Sequence, residues 1–395
     1  MLVTRIIGKC PGCNTQDSYG NVSVRGDYIL RGCKKCKYSM HVPLPPMRKK
    51  ILYLDQFFFS NAFKKQDPRF THAAALIREA SSNQLLVAPF SSVHEDETHQ
   101  WRGYNGNSKD DLMEFIKATS HGHEFEPAYK VEETQLVQAF SSFLKESEPK
   151  HKIDRTDAVP NSIDEWDDYF RIDVARYFGE IELMRDLKEQ ATEGLVDLFP
   201  DWRKSTNSFE EDVELEIREV AKGYIDSYAR YASRVAGGDY SALFDSPIKS
   251  QVVQTLLHCL PRQMPPDDAL SKLGEFFKSQ HFREVPMTWI SSRMFAVLKD
   301  QVKNGAYIQR DNAIKRHRGL FEDVNHISTY SPYCDTFVMD RVMASLVSDP
   351  RLAIEQRYNV RVFSLSNWDD FLEWLNQLNA GMTDEHLAGL RAAYP

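Results

Sequence analysis

The stretch "KKILYLDQFFFSNAF", residues 49–63, decides how this chain folds. Two lysines lead into a short apolar run that stops at Asp55, and the length and composition of residues 50–54 predict a buried β-strand. A carboxylate at the end of such a strand is costly to bury unless a partner compensates its charge. The role of Asp55 therefore depends on which other side chains the fold brings to the end of this strand.

The segments that follow alternate between helical and strand patterns. Residues 67–82, "DPRFTHAAALIREASS", predict a helix with Asp67 as its N-cap and a proline at its first position. Residues 84–90, "QLLVAPF", predict a second buried strand, after which a serine caps another helix. A strand–helix–strand–helix order predicts an α/β fold with a parallel sheet.

The strand pattern returns near the C-terminus, after a long helical interval. Residues 335–340, "DTFVMD", and residues 359–364, "NVRVFS", predict further buried strands. Between them and the first two strands the sequence predicts long amphipathic helices and no strand. We therefore predict a helical insertion over residues 111–315, which separates the first half of an α/β domain, 46–110, from its second half, 316–395.

Four of the six cysteines form two C-x-x-C pairs, Cys10 with Cys13 and Cys33 with Cys36, and 19 residues separate the pairs. Each pair presents two thiolates, and the hairpin between them can close a tetrahedral site. A redox pair or two disulfides are the alternatives, but no βαβ pattern surrounds these cysteines. The spacing predicts a zinc ribbon over residues 1–45, whose Zn²⁺ is structural because four thiolates leave no open coordination position.

The composition limits how the chain can bind a polyanion. The 395 residues carry a net charge of −8, which excludes a protein that is basic over its whole surface. No apolar run is long enough for a membrane span or a signal peptide, so we expect a cytoplasmic protein. The remaining cysteines, Cys259 and Cys334, are expected to be buried.

A local basic patch is predicted to contact phosphates, and it consists of Lys34, Lys35, Lys37, Arg48, Lys49 and Lys50. The aromatic residues Tyr38 and Phe57 to Phe59 could either stack on bases or form part of the core.

Acidic residues mark the ends of the predicted strands. Asp55 ends the first predicted strand, and the acids at 95–97 follow the second. Asp323 precedes the predicted strand at 335–340, and Asp340 ends it. Because the carboxyl ends of parallel strands share one edge of a sheet, these residues are expected to lie close together. Several carboxylates cannot all ionise together without a cation, and Mg²⁺ or Mn²⁺ prefers oxygen ligands. The alternative is that they are helix caps and surface residues.

Three stretches together resemble the PIN and PIN-like nucleases. They are "YLD" at 53–55, the acidic run that follows "PFSSVH" at 89–94, and "FEDVNHISTYSPYCDTFVMDRVM" at 321–343. The resemblance covers residues 50–105 and 318–380 and includes neither the ribbon nor the helical interval. It implies a PIN-like three-layer fold with a central parallel sheet.

The resemblance also implies an active site and a reaction. Members of this family hydrolyse phosphodiester bonds with a divalent cation and an activated water, and they cleave RNA more often than DNA. An endoribonuclease is therefore expected, with nucleic acid as its partner. The implied catalytic residues are Asp55, Glu97, Asp323 and Asp340, which would also bind Mg²⁺ or Mn²⁺, together with Asp335 as an adjacent acid.

Some positions of this site stay open. Family members often carry a small polar residue shortly after the first aspartate, where this chain has Gln56 and then a phenylalanine. Glu95 or Asp96 could serve in place of Glu97 if the helix register shifts. His94 is expected to form a hydrogen bond beside the site or to lie on the helix surface, rather than to act in catalysis.

Two other functions remain compatible with the same motifs. One is a catalytically degenerate PIN-like protein that binds nucleic acid or recruits a protein partner through its ribbon or helical insertion. The other is a DNA-cutting nuclease in host defence. Convergence of Asp55, Asp323 and Asp340 is the feature expected of an active nuclease.

Overall fold

The computed structural model describes residues 1–167, 181–243 and 247–395. Over these ranges the chain is a mixed α/β protein with two β-sheets. The strands are, in chain order, β1 (Arg5–Gly8), β2 (Tyr19–Gly26), β3 (Tyr28–Cys33), β4 (Ser39–Pro43), β5 (Lys50–Leu54), β6 (Leu86–Val87), β7 (Trp166–Asp167), β8 (Thr336–Val338) and β9 (Arg361–Phe363).

Helices account for most of the remaining described chain. The α-helices are α1 (Gln56–Lys64), α2 (Pro68–Ser82), α3 (Ser92–His99), α4 (Lys109–Thr119), α5 (Ala128–Leu144), α6 (Ile181–Asp197), α7 (Phe199–Lys204), α8 (Phe209–Ala236), α9 (Ile248–His258), α10 (Pro266–Lys278), α11 (Gln280–Arg283), α12 (Pro286–Lys303), α13 (Arg310–Arg316), α14 (Leu320–Tyr330), α15 (Arg341–Val347), α16 (Ile354–Tyr358), α17 (Trp368–Ala380) and α18 (Asp384–Ala393). Short 3₁₀ helices cover Arg155–Asp157, Asn161–Asp164, Tyr240–Leu243 and Ser331–Tyr333.

The central sheet is parallel and has the strand order β6-β5-β8-β9. Strand β5 pairs with β6 on one side and with β8 on the other, and Leu54 lies opposite Val338 at the last step of the β5–β8 ladder. The predicted parallel sheet is therefore confirmed. Because β5 and β8 end side by side, the residues that follow them meet at one edge of the sheet.

Both faces of this sheet are covered, as the continuous apolar run of β5 requires. Successive side chains of a strand point to opposite faces. Ile51 and Tyr53 pack into the core formed with α12 and α14, whereas Leu52 and Leu54 pack into the core formed with α1, α2 and α17. A helical layer on each side thus buries every residue of β5 after Lys50.

The interval between β6 and β8 is mainly helical. A third hydrophobic core lies inside it, where α8 packs against α9 and α12, and α5 against α9. The sequence predicted helices and no strand in this interval, but Trp166 and Asp167 form a short strand, β7, which pairs with β2. Residues 168–180, also predicted as helical, lie outside the described residues, and α6 begins at Ile181.

The N-terminal segment is an antiparallel sheet of order β1-β2-β3-β4, to which β7 adds on the far half of β2. The last helix, α18, docks on this sheet: the amide of Asn21 donates to the carbonyls of Ala392 and Ala393, at 3.0 and 2.8 Å. Trp166 lies in the same small core and donates from Nε1 to the carbonyl of Pro45. The N-terminal sheet is thus fastened to both the middle and the end of the chain.

Among the described helices, none has the length and apolar character that a membrane crossing requires.

Candidate active site

Four acids surround the edge at which β5 and β8 end. Asp55 follows β5 directly, and its backbone amide donates to the carbonyl of Val338 at 3.0 Å. Asp340 lies two residues beyond β8, Glu97 lies in α3 after β6, and Asp323 lies in the first turn of α14. Four separate segments of the chain therefore each bring one carboxyl group to the same edge.

The pKa values of these acids reflect their mutual proximity. Burial, followed by the charges of Glu97 and Asp340, raises the pKa of Asp55 from 3.8 to about 7. Burial, followed by the charges of Asp55, Glu97 and Asp340, raises the pKa of Asp323 well above its ordinary value. Like charges shift each other's pKa in this way only when they lie close together. Asp55, Glu97, Asp323 and Asp340 therefore lie near one another at this edge, and we call them the acid cluster; their role as metal ligands stays a prediction.

The carboxylate oxygens of the acid cluster are more widely spaced than the ligand atoms of a fully protein-coordinated metal. In the described ranges, only the four N-terminal thiols form a set of three or more possible metal ligands whose atoms all lie within 4.8 Å of one another. Mg²⁺ usually keeps several of its waters and binds through one or two carboxylates, so it does not need every acid in direct contact. The described acids therefore do not by themselves form a closed set of protein ligands around a single point.

Helix capping explains Asp340 better than it explains Asp55. Asp340 is the N-cap of α15, and one of its carboxylate oxygens accepts from the amide of Met343 at 2.8 Å. The other oxygen is left for a further ligand. Asp55 holds the N-cap position of α1, yet within the described chain its side chain makes no capping hydrogen bond. The amides of Gln56 and Phe57 lower the pKa of Asp55, but they do not outweigh burial and the neighbouring acids.

The structure identifies which acid of α3 joins the cluster. Glu97 faces Asp55 and Asp323, and burial raises its pKa although Lys188 opposes the shift. Glu95 instead approaches Lys117, with an oxygen 4.0 Å from Nζ. Glu97 rather than Glu95 thus completes the set, in the register that the sequence favoured.

A cation from the helical interval reaches the acid cluster, and it was not among the predicted residues. Lys188, on α6, donates from Nζ to Glu97 Oε1 at 3.1 Å, and the same atom lies 3.9 Å from Glu322 Oε2. Its side chain is only 15% exposed. Gly319 makes room for it, because a Cβ at that position would lie 3.2 Å from Lys188 Cε and Nζ. The nearest acid partner is 91 residues away in sequence, so no local motif could have revealed this contact.

His94 is a buried structural residue beside the site. Its Nδ1 accepts from the amide of Ser91 at 2.9 Å, which leaves Nε2 to donate to the carbonyl of Leu54 at 2.7 Å. Burial lowers the pKa of His94 to about 4, so the ring is neutral at pH 7. The hydrogen bond to Leu54 fastens α3 to the last residue of β5. His94 therefore holds the backbone immediately before Asp55. Of the two predicted roles, the structure agrees with a hydrogen bond beside the site and not with a position on the helix surface.

A second buried histidine, His326, lies one turn after Asp323 on α14 and was not among the predicted residues. A hydrogen bond of 2.9 Å joins its Nδ1 to the hydroxyl of Tyr53 in β5. Burial lowers the pKa of His326 to about 3, which keeps it neutral. Together with His94, it ties the two helices that carry Glu97 and Asp323 to the central strand. The sequence signal that could have found it is its spacing of three residues from an acid on a helix.

The assignment of Asp335 to the site is wrong. Asp335 precedes β8, and its carboxylate accepts from Lys50 Nζ at 2.7 Å and from the amide of Ile51 at 2.9 Å. These partners begin β5, whereas Asp55 follows its end. Five residues of strand span roughly 16 Å. Asp335 therefore lies at the opposite edge of the sheet and has a structural role there.

The predicted basic patch is also altered. Lys49 is fully buried, because it leads into β5 beneath Arg155 and Asp164, and it cannot contact a polyanion at the surface. Lys50 is held by Asp335. Phe57 to Phe59 pack in the core with α2 rather than offering rings to bases. The other exposed members of the predicted patch are Lys34, Lys35, Lys37 and Arg48, which lie on the ribbon side of β5, away from Asp55.

The four N-terminal cysteines lie together as predicted. The Sγ atoms of Cys10 and Cys36 are 3.7 Å apart, and those of Cys13 and Cys33 are 3.8 Å apart. Four thiolates at about 2.3 Å from a tetrahedral Zn²⁺ would be about 3.8 Å from one another. The hydroxyl of Ser18 lowers the pKa of the Cys33 thiol to about 6, which favours the thiolate that a metal requires. The cluster is therefore compatible with a structural zinc site.

The two other cysteines differ from each other. Cys334 is buried in the core beneath the central sheet, as predicted. The prediction for Cys259 is wrong: it is exposed, because it follows the last turn of α9 and forms its C-cap rather than facing the core.

Comparison of the chain with protein-family models, with curated proteins and with solved structures finds no match. A function must therefore be inferred from the chemistry of the acid cluster and its surroundings.

Proposed function

We propose that this protein is a divalent-metal-dependent nuclease of PIN-like fold, which hydrolyses phosphodiester bonds with a metal-activated water and acts on RNA in preference to DNA. The observation that carries the proposal is the acid cluster. Four carboxyl groups from four segments share one partly buried edge of a parallel sheet, and the pKa values of three of them are raised. Ligand sites in open α/β sheets form at this edge.

The donor set fits Mg²⁺ or Mn²⁺. Every member of the cluster offers carboxylate oxygen, the donor that hard cations prefer, and none offers sulfur or imidazole. The fold keeps these acids together although burial penalises their charge, and a cation is the usual compensation. Asp55, Asp340 and Asp323, with Glu97 directly or through water, would hold the ion.

The acids and the histidines of this chain would then have different roles in the reaction. The bound ion would lower the pKa of a coordinated water and compensate charge on the phosphate. Asp340 would keep one oxygen on the amide of Met343 in α15 and so stay fixed in direction. His94 and His326 would position the elements beneath the acids and, being neutral, would leave the negative charge of the cluster intact.

Support for a nucleic-acid substrate comes from exposed arginines that lie close to the acids in sequence. Arg102 follows Glu97 by five residues, Arg318 precedes Asp323 by five, and Arg341 directly follows Asp340. All three are exposed. Guanidinium groups at a metal-binding edge would suit the phosphates that flank a scissile bond. These arginines would make the phosphate contacts that were predicted for the lysines before β5.

The decisive experiment compares the cleavage activity of two variants, one that removes a carboxylate of the acid cluster and one that removes a carboxylate outside it. Asp55→Asn keeps the side-chain shape and removes one metal-binding charge, so Mn²⁺-dependent cleavage of a fluorescent single-stranded RNA should fall by more than roughly 100-fold, the upper end of what loss of an outer partner of a metal ligand costs. Glu95→Gln is the matched control, because it removes a carboxylate from α3 outside the acid cluster. It should retain cleavage.

Equal activity of both variants, or cleavage that persists without added divalent ion, would refute the proposal. The open spacing of the acid cluster favours one alternative, a degenerate protein that binds RNA without cutting it. That alternative predicts RNA binding by the wild-type protein with no cleavage at any Mn²⁺ concentration. Cleavage of single-stranded DNA but not of RNA would instead identify a DNA nuclease.

We further propose that the cysteine cluster holds one structural Zn²⁺. Support comes from the sulfur spacing and from two amides that point at the thiols, Gly12 N to Cys10 Sγ at 3.3 Å and Lys35 N to Cys33 Sγ at 3.2 Å. Four sulfur ligands leave the metal no position for substrate. The ribbon would therefore contribute to folding and not to hydrolysis.

A further inference from the structure

Lys188 is a charged group beside the acid cluster that neither its own sequence neighbourhood nor the proposed reaction explains. It comes from the helical interval, on the α6 turn that lies over α3. Its ammonium group contacts Glu97 and approaches Glu322, and its side chain is almost covered. A buried ammonium in this position is a permanent positive charge placed among carboxylates.

Lys188 lies on one side of the acid cluster. Its Nζ lies 3.1 Å from Glu97 Oε1 and 3.9 Å from Glu322 Oε2. A Cβ at Gly319 would lie 3.2 Å from the same nitrogen and 3.8 Å from Asp323 Oδ2, so Lys188 lies on the side formed by α3 and the start of α14. Among the described residues it forms no ion pair with Asp55 or Asp340, which follow β5 and β8.

Nucleases with two metal ions hold them roughly 3.5–4 Å apart, one on each side of the reacting phosphate. A lysine ammonium that occupies one of these two places repels a second divalent ion and supplies part of its charge. It also has donors left for a phosphate oxygen, since an ammonium has three N–H groups and Lys188 uses one on Glu97 at hydrogen-bond distance.

The fit of Lys188 depends on its surroundings. The missing side chain of Gly319 provides the space for Cε and Nζ. One turn earlier on α6, Arg185 donates to the carbonyl of Gln100, which fixes that helix over the C-terminal end of α3. At the other end of α6, Leu195 and Val196 are anchored in the core beneath the sheet. Lys188 is therefore a positioned residue and not a mobile surface lysine.

We infer that Lys188 replaces a second metal ion, so that the acid cluster binds a single divalent cation on its Asp55–Asp340 side. This inference depends on the proposed function, because it specifies the metal content of the same site. It predicts a hydrolase that combines one metal with one lysine.

The test is metal stoichiometry, measured on the full zinc-loaded chain by calorimetric titration with Mn²⁺ and by electron paramagnetic resonance. The wild-type protein should bind one Mn²⁺. Lys188→Met removes the charge and keeps the aliphatic length, and it should bind a second Mn²⁺, with the spectrum showing coupling between two neighbouring ions. Lys188→Arg keeps the charge and is the control, which should still bind one.

Lys188→Gln is a second neutral variant, in case the methionine disturbs folding, and circular dichroism checks each protein. Two ions bound to the wild-type protein would overturn the inference and leave the proposed function intact. One ion bound to both neutral variants would do the same. No Mn²⁺ bound to wild-type or neutral variants would overturn the inference and the metal-dependent function together.

Discussion

The cysteine cluster and the acid cluster are two candidate metal sites built in opposite ways. The four cysteines lie at the end of one strand and in the loops of one short antiparallel sheet. Their sulfur atoms lie at the spacing of a tetrahedral site. The four acids come from segments between residues 55 and 340, and their oxygens are more widely spaced. The ligands of the cysteine cluster are close in sequence and closely spaced, whereas those of the acid cluster are far apart in sequence and more widely spaced.

The difference follows from what each metal would do. A structural ion has to fix the geometry of a ribbon that has little core of its own, so its ligands must close around it. A catalytic ion has to keep positions for water and substrate, so its ligands must not close. Carboxylates that remain apart until a cation arrives also repel each other less in the metal-free protein.

The largest expected effect concerns the compact site. Cys33→Ser should abolish zinc binding and unfold the ribbon, because structural Zn²⁺ contributes about 10–16 kcal/mol of apparent binding free energy in zinc-finger peptides. Elemental analysis should show no zinc, and hydrogen exchange should accelerate in β1 to β4 and in α18, which docks on them. The amides of β5 and β8 should keep their protection.

Cys259→Ser is the matched control, since it removes an exposed cysteine outside the ribbon. It should retain the zinc and the exchange pattern of the wild-type protein. Full zinc content in Cys33→Ser would show that the four thiols do not act as one site.

The next effect concerns the open site in the absence of metal. The pKa of Asp55 is raised from 3.8 to about 7 in the folded protein, so the folded state holds its proton more tightly than the unfolded state. The stabilisation from this group is complete below pH 3.8 and is lost as the pH rises through 7. Metal-free wild-type protein should therefore become less stable between pH 5 and pH 8.

Asp55→Asn removes this titration and should flatten the profile. At pH 8 without metal, the variant should melt about 3 °C or more above wild type, since 1 kcal/mol corresponds to about 2–4 °C in domains of moderate size. Differential scanning calorimetry at several pH values measures this difference. A variant that is less stable than wild type at pH 8 would mean that the Asp55 charge is compensated by a protein group.

A smaller effect is expected at the rim of the open site. If Arg102 and Arg341 contact phosphates, replacing both with alanine should weaken RNA binding regardless of sequence. The slope of log affinity against log salt should fall by about 0.7 for each phosphate of a single strand that the variant no longer neutralises. Fluorescence anisotropy at several salt concentrations measures both quantities.

Arg262→Ala is the control for this experiment, because Arg262 is equally exposed but lies in the loop before α10. Its salt slope should equal that of the wild-type protein. An unchanged slope in the double variant would remove both arginines from the proposed RNA path.

The contrast between contacts that are local in sequence and contacts between distant segments also explains what the sequence could predict. The ribbon, the strands and the parallel sheet depend on spacing and on short apolar runs, which the sequence displays directly. Asp55 and Asp340 could be placed together because parallel strands end at one edge. Asp335 entered the predicted site only as an adjacent acid implied by the resemblance, and it lies at the other end of the three-residue strand β8 from Asp340.

The remaining differences involve contacts between distant segments. Burial of Lys49 depends on Arg155 and Asp164, more than 100 positions further along the chain. Lys188 lies on an amphipathic helix in which nothing marks one lysine as special. His326 follows Asp323 by three residues on α14, but its partner Tyr53 lies in β5, and only the structure shows the two together.

The smallest expected effect concerns Lys49, the buried charge at the opposite edge of the sheet from the acid cluster. Burial lowers its pKa from 10.5 to about 8, against the opposing charges of Asp167, Asp164 and Glu165. In the described part of the chain its Nζ has no hydrogen-bond partner. Lys49→Met should therefore stabilise the protein slightly, by about 1 kcal/mol at pH 7, since well-packed apolar groups often replace buried charges at no cost.

The sign of the pH dependence provides a second check on Lys49. A lysine whose pKa is lower in the folded state destabilises the fold below pH 8, and this penalty disappears as the pH rises from 8 to 10.5. The advantage of Lys49→Met should therefore shrink at pH 10, as measured by urea unfolding. Lys50→Met, at the exposed neighbouring position, should show no such pH-dependent gain. A destabilised Lys49→Met would mean that the acids of the β7 region pair with this ammonium group, and that both edges of the sheet depend on compensated charge.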